Sequence, residues 1–391
     1  MRRSISRFSD LRSGTVRGVV QTGMVVFALS MVAATYAERS GAFLRWLPYL
    51  NGLCPIGLTE SLGRVIRGDG FADPSRTNTW LLIGAAASAL LLGAVFCGWL
   101  CPLGAVQEWV GRLGKRLFPK RFNRLVPPRI DRVLSWVRYA VLAIVLLVTI
   151  GSVATVLSAV NPSRALFHVW FGGALPGGLA VLAVVLIGSL FVARPWCRWV
   201  CPFGAVQGTL SLISPWSIRR TSAGCPGCKR CSRACPMGID VHTPTVVRDT
   251  RCTRCMQCVD ACRVDGILAY SSRSGQRVSR PVGVYAATAA AALVLFFSPV
   301  VIARATGAYT PAGTPSPAGA VLAVEDITPT MSLDAVAEGF ALTTEQLLGL
   351  LDMAADFDGT TRIFDIEDDE RYEHITIAYV RSALAEATAA E

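Results

Sequence analysis

Five apolar runs set the rhythm of the chain: 19–36, 80–96, 139–160, 175–192 and 282–303. Each is long enough, and poor enough in charge, to cross a bilayer as a helix. One such run alone would also suit a buried core helix. Five among 391 residues that are 52% hydrophobic and only 17% charged do not. The first run follows Arg2 and Arg3 and ends near small residues around Ala37, as a cleaved signal peptide would. Its apolar stretch exceeds a usual signal core, so a retained anchor is expected. The pattern predicts a mainly α membrane protein with five transmembrane helices.

Charge orients those helices. The arm to Arg17 carries five basic residues against one acidic, the loop Glu108–Arg138 nine against two, and Arg194–Arg280 fourteen against four. The segment Glu38–Arg76 is nearly balanced, and Pro162–Leu175 has only Arg164. The positive-inside rule then places the N-terminus and Arg194–Arg280 in the cytoplasm, and everything after Ala303 outside, for a multi-pass protein of the plasma (inner) membrane. Anionic lipid explains the basic loops, so no nucleic acid is expected as a partner. The C-terminal part has the opposite charge. Residues 321–391 hold sixteen acidic side chains and three arginines, a net −13, beyond a linker at 310–320 rich in Thr, Pro, Ala and Gly. Ser332 and Thr343 read as helix N-caps, and 375–389 as a third helix, which makes this a small acidic helical domain. Its charge suits either a solvated surface or docking of a basic redox protein.

Cysteine spacing then supplies the chemistry. Cys225-x2-Cys228-x2-Cys231-x3-Cys235-Pro236 is followed by Cys252-x2-Cys255-x2-Cys258-x3-Cys262. Three thiolates on a tight loop wrap one corner of an iron–sulfur cube, and the fourth cysteine of each run ligates the other cluster. On that rule Cys225, Cys228, Cys231 and Cys262 hold one [4Fe–4S] cluster, and Cys252, Cys255, Cys258 and Cys235 hold a second. Zinc ribbons also use C-x2-C knuckles, but have no use for a third cysteine at the same interval, repeated. Arg263 stands where the second run would usually carry proline.

Two further pairs share another motif. Phe96-Cys97-Gly98-Trp99-Leu100-Cys101-Pro102 through Gln107 matches Trp196-Cys197-Arg198-Trp199-Val200-Cys201-Pro202 through Gln207 at eight of twelve positions. Val16-Arg17 likewise matches Val137-Arg138, so a two-helix unit is expected to be duplicated. That register sets Cys54 against Leu175 and leaves Cys54 in one copy only. Each C-x3-C-P pair would place one thiol in the last turn of a span and one on the bend that proline imposes. If the copies pack about a pseudo-twofold axis, Cys97, Cys101, Cys197 and Cys201 converge on a shared site suited to Cu(I), zinc or another iron–sulfur cluster. The alternative is two pairs of inert buried thiols. After Pro102 an amphipathic stretch, with Leu103, Val106, Val110, Leu113 and Leu117 on one side, is expected to lie on the inner leaflet.

These motifs resemble the membrane polyferredoxin family: C-G-W-x-C-P-x-G-A-x-Q ends one span, C-x3-C-P-x-G-A ends another, and a two-cluster module precedes the last span. The family includes nitrous-oxide-reductase regulator-type proteins and the quinol-oxidising subunits of periplasmic nitrate reductase systems. The outer-loop Leu53-Cys54-Pro55-Ile56-Gly57 also resembles a segment that recurs in it. The resemblance covers residues 15–303 and implies electron transfer along or across the membrane. Its regulator-type members bind flavin covalently at an S-G-A-T-like motif. Here Thr306-Gly307-Ala308-Tyr309-Thr310 lacks that acceptor, so no flavin is expected. Nor is haem: His168, His242 and His374 lie outside the apolar runs, and no C-x-x-C-H occurs. No phosphate-binding loop or nucleophile triad is found either. The layout reads as a membrane domain at 1–215, a cytoplasmic ferredoxin-like domain at 216–280, a last span at 281–304, a linker at 305–320 and the acidic domain at 321–391. The expected function is that of an electron-carrier subunit rather than a stand-alone enzyme. It relays electrons between a cytosolic donor or the quinol pool and a membrane or extracytoplasmic redox partner. Two other readings stay open: a metal-handling or assembly factor for a copper or other metalloenzyme, and a membrane redox sensor.

Overall fold

The computed structural model describes residues 13–39, 54–68, 76–150, 160–169, 176–221 and 224–306, apart from 265, 274–276 and 279–281. It also describes 327, most of 331–366 and scattered positions from 371 to 387. These residues divide into two compact units, one within 1–308 and one within 309–391.

Helices dominate the first unit. Among the described residues three are long and apolar enough to cross a membrane: α1 (Ser13–Arg39), α5 (Pro128–Ile150) and α11 (Val282–Ala305). The runs at 80–96 and 175–192 give the shorter apolar helices α3 (Arg76–Leu92) and α7 (Pro176–Ser189). Gly93, at φ +84°, ends α3 early, because that backbone conformation leaves the helix. Val19, Val26, Leu147, Val184 and Val294 are exposed apolar side chains on these helices, as a lipid-facing surface requires.

Two short helices lie in loops where the sequence predicts none. They are α2 (Pro55–Arg67) and α6 (Pro162–His168), and each opens with proline in the first turn, where its missing N–H costs nothing. Asn161 caps α6 by accepting from the amides of Ser163 and Arg164. Cys54 precedes α2 in the same way, and Asn161 Nδ2 donates to its Sγ at 3.1 Å. Leu175, its expected counterpart, lies outside the described residues.

Beyond α3 and α7 come two π-turns, π1 (Phe96–Leu100) and π2 (Trp196–Val200), then α4 (Pro102–Leu117) and α8 (Pro202–Leu210). The packing follows a regular scheme. Helix α1 packs on α4 and on π1, as α5 packs on α8 and on π2. Between the halves, α2 packs on α5 as α6 does on α1, and α4 packs on α7 as α8 does on α3. Helix α4 is not free on the leaflet: Leu113 and Leu117 are exposed, but Leu103 is buried and Gly114 sits against the backbone of Leu190.

A small sheet follows, of order β1 (Trp216–Arg220), β2 (Leu268–Ser272) and β3 (Arg277–Val278), antiparallel throughout. Between β1 and β2 run two short helices, α9 (Arg230–Ala234) and α10 (Gln257–Asp260). The second unit holds α12 (Leu333–Gly339), α13 (Thr344–Leu350) and α14 (Ile363–Ile366) around Leu333, Val336, Leu347, Ile363 and Ile375. Ser332 caps α12, and Thr343 with Gln346 forms a full capping box on α13, both as expected. Of the expected helix at 375–389 only scattered residues are described.

Candidate functional site

The two long cysteine runs share one backbone solution. Gly227 and Arg254, each just before the second cysteine, have φ of 69° and 51°. Lys229 and Met256, each just after it, have φ of 55° and 61°. Left-handed backbone at non-glycine residues is uncommon and clusters at functional loops. Here it reverses the chain on both sides of one thiol, so that three thiols of a run face one hollow. Helices α9 and α10 then carry the third cysteine and lead to the fourth.

The fourth cysteine crosses over. Cys225, Cys228, Cys231 and Cys262 line one cavity. Cys235, Cys252, Cys255 and Cys258 line a second. Cys97, Cys101, Cys197 and Cys201 line a third. Among the described residues no three Cys, His, Asp or Glu side chains close to the spacing of a single-ion site. Four thiols facing one hollow are the donor set that a [4Fe–4S] cluster takes. Burial pushes the Cys235 thiol up to about 12 and raises Cys258 as well, so a thiolate there requires a positive partner.

The third cavity is built from the π-turns. The amide of Cys101 donates to Phe96 O at 2.9 Å and that of Cys201 to Trp196 O at 2.9 Å, a five-residue reach in place of the expected four. Pro102 and Pro202 hold the preceding cysteines extended, at ψ 116° and 113°, as their ring sterics demand. Sulfur-directed donors surround them. Gln107 Nε2 donates to Cys197 Sγ at 3.4 Å while its Oε1 accepts from the Trp196 amide at 3.1 Å. The Gly204 amide donates to Cys201 Sγ at 3.4 Å. Gln207, the sequence counterpart of Gln107, turns instead to Ala85 O, so the two halves differ here. Two lining groups, Trp196 Nε1 and Thr253 Oγ1, are buried with no hydrogen-bond partner among the described residues. Such orphaned donors fit a sulfur-rich group in the cavity, where hydrogen bonds to sulfur tune its potential.

The second and third cavities share a wall. Met237 and Thr253 line both. Gly98, inside the first C-x3-C-P pair, abuts Thr253 so closely that a Cβ would stand 2.3 Å from the Thr253 carbonyl oxygen. Trp99 Nε1 donates to Arg254 O at 3.1 Å across the same seam. In the other half Gly208 abuts Thr250 in the same manner.

Sequence reasoning missed the buried charges that bind these parts together. Glu108, on α4, accepts from Arg17 of α1, from Arg194 Nη2 at 2.5 Å and from Gln257 Nε2 at 3.0 Å. Arg194 also donates to Cys97 O at 2.8 Å and Arg17 to Cys255 O at 2.9 Å. One carboxylate thus ties the backbone of a third-cavity cysteine to that of a second-cavity cysteine. Burial pushes the Glu108 carboxyl up, but Arg194 and Arg17 outweigh it and hold the group at about 2. Asp131 plays a similar part, accepting from Arg198 at 2.6 Å, Trp199 at 2.7 Å and Arg251 at 2.8 Å. The available signal was Arg17 itself: a charge at the edge of an apolar run is a functional candidate by default.

In the first cavity Cys228 is exposed, and Arg220, Lys229, Arg230 and Arg263 line the cavity. Arg233 donates to Cys228 O at 2.6 Å.

Comparison with known proteins places the chain among [4Fe–4S] proteins. A family model described as a 4Fe-4S binding domain matches twice, over residues 79–121 and 174–221, and so covers both C-x3-C-P motifs. A 4Fe-4S dicluster domain matches 217–263. The candidate electron transport protein YccM of Escherichia coli K12 is 32% identical over 61% of this chain and 66% of its own length. The ferredoxin-type protein NapH of Haemophilus influenzae is 31% identical over 49% of this chain and 68% of its own. The regulatory protein NosR of Pseudomonas aeruginosa is 30% identical over 48% of this chain and 26% of its own. The chain thus spans just under two thirds of YccM and about a quarter of NosR. No solved structure matches it.

Proposed function

This chain belongs to the membrane polyferredoxin family of ferredoxin-type [4Fe–4S] proteins, and from that premise we propose that it relays electrons through three cofactors held in a row. Cys225, Cys228, Cys231 and Cys262 hold the first, Cys235, Cys252, Cys255 and Cys258 the second, and Cys97, Cys101, Cys197 and Cys201 the third. When bound, [4Fe–4S] groups supply one-electron storage and transfer. The observation that carries the proposal is the shared wall of Met237 and Thr253 between the second and third cavities. It supports a continuous route from the first cavity, where Cys228 is exposed, to the buried thiols of the π-turns.

The chain's own residues give the row its order. The arginines around the first cavity suit docking of an acidic redox protein, which makes that cavity the exchange point with a soluble partner. Gln107 and the Gly204 amide hold the third-cavity sulfurs with hydrogen bonds, and Glu108 with its two arginines locks that cavity's scaffold to the second. The matched packing of the two halves supports a duplicated unit larger than a helix pair. It runs from a long helix through a proline-headed short helix, an apolar helix and a π-turn to a second proline-headed helix. Helices α3 and α7 then act as the two further spans, with the cysteine-rich domain at 216–280 in the cytoplasm. The acidic domain at 321–391 would lie on the other side, where a second redox partner or the quinol pool completes the circuit.

Proteoliposomes test this. Electron transfer from a reduced soluble donor to a membrane quinone is measured for the wild type and for the Cys97→Ser/Cys197→Ser double variant. The variant is expected to keep the ferredoxin-type EPR signals and to lose transfer. Undiminished transfer in the variant contradicts the relay. Stoichiometric copper on the wild type, absent from the variant, would favour metal delivery instead.

A further inference from the structure

A polar hollow lies apart from the cysteines. Beside the end of α3, a hollow is lined by Arg219, Arg248, Arg254 and Arg273 together with Ser214 and Ser217. No carboxylate lines it, and none of these four guanidinium groups forms an ion pair among the described residues. Arg254 is 2% exposed. Its Nε and that of Arg219 are buried without a hydrogen-bond partner. The Arg254 side chain lies across Gly93, where a Cβ would stand 2.7 Å from that Nε, so the charge is wedged inward. Its remaining nitrogens donate to Val247 O and Ser211 O, each at a long 3.4 Å, and to Cys252 Sγ at 3.4 Å, an ordinary length for sulfur. Arg254 is buried and Arg219 half-buried, whereas Arg248 and Arg273 are exposed. Four guanidinium groups with no lining carboxylate make the hollow strongly basic, and forked guanidinium donors match phosphate oxygens.

The hollow's position narrows the source of that phosphate. Ser214 Oγ donates to Leu91 O at 3.1 Å, which fixes the hollow to the end of an apolar helix. Leu90 and Leu91 on that helix are exposed, and so are Leu212 and Ile213 on the adjoining turn, Ile213 by 65%. Exposed apolar side chains give way here to arginines, as at the headgroup level of a bilayer.

We propose that this hollow binds the phosphate headgroup of an anionic phospholipid. The proposal rests on the membrane reading above, and it adds a consequence. Arg254 reaches from the hollow to a second-cavity cysteine, so an anion beside it lowers the potential of whatever that cavity holds.

The test uses delipidated full-length protein and native mass spectrometry, with thermal unfolding in parallel. The probes are phosphatidylglycerol, phosphatidylcholine and inorganic phosphate. One phosphatidylglycerol is expected to bind and to raise the unfolding temperature. The Arg219→Gln/Arg273→Gln variant, which spares Arg254, should bind it roughly tenfold more weakly with unchanged iron content. Equal binding of phosphatidylcholine, equal binding by the variant, or the same stabilisation by inorganic phosphate alone would each overturn the assignment. Lipid retention is read independently of iron, so failure of the electron-relay reading would be seen separately.

Discussion

Replacing Gly98 with alanine should destabilise the protein at the seam between the second and third cavities. In an ordinary helix interior the exchange gains about 0.5–1 kcal/mol, because glycine loses more backbone entropy on folding. At Gly98 the new Cβ would stand 2.3 Å from the Thr253 carbonyl oxygen and 3.3 Å from its carbon. A relaxed carbon–oxygen contact is about 3.3 Å, so the two backbones must part by about 1 Å. Neither can move freely. Thr253 lies between Cys252 and Cys255, and Gly98 lies between Cys97 and Cys101 inside a π-turn. Overpacking of this kind costs about 1–3 kcal/mol, which set against the propensity gain leaves a net loss of up to about 2.5 kcal/mol. Gly18, in α1 with nothing within 4 Å of its Cβ position, is the control. Thermal unfolding and iron content of Gly98→Ala and Gly18→Ala would be measured side by side. Alanine at 18 should be neutral or stabilising, whereas alanine at 98 should melt lower and lose iron more readily. If both variants melt at or above the wild type, the close approach of the two cavities is wrong.

The other expectations are more local. Cys235→Ser and Cys252→Ser should abolish the same EPR signal and Cys262→Ser the other; if Cys235→Ser pairs instead with Cys225→Ser, the crossing is refuted. Glu108 has a carboxyl held at about 2, below its ordinary 4.5, so its stabilisation is full above pH 4.5 and is lost as pH falls toward 2. Glu108→Gln should flatten the decline of unfolding temperature over that window, and should cost about 3–5 kcal/mol at neutral pH by leaving Arg17 and Arg194 uncompensated. Thr343→Ala should cost the acidic domain about 1 kcal/mol through loss of its capping box, read as faster limited proteolysis there, with iron unchanged.

Legibility in the sequence followed the range of the interaction. The expectation that Cys235 and Cys262 cross over came from the rule for this double spacing, and the structure places each beside the other run. The repeat of the C-x3-C-P motif was equally plain. Its convergence on one cavity depended on how the two halves pack, and the five-residue turns at Phe96 and Trp196 have no signature in composition. Helices α2 and α6 carried a usable sign, a proline after Cys54 and after Asn161, but both fell inside loops whose charge balance drew attention first. Glu108 was counted as one acidic residue in a basic loop. Its role appears only when Arg17, ninety-one positions earlier, and Arg194, eighty-six later, close upon it.

The most direct measurement is iron, sulfide, copper and zinc content of anaerobically purified protein, with EPR after reduction. It would be made on the wild type and on a variant in which Cys97, Cys101, Cys197 and Cys201 are all serine. Three four-iron groups predict about twelve irons per chain in the wild type and about eight in the variant, with the two ferredoxin-type signals retained. About eight irons in both would remove the third cofactor and with it the proposed row, and zinc without iron would contradict the account as a whole.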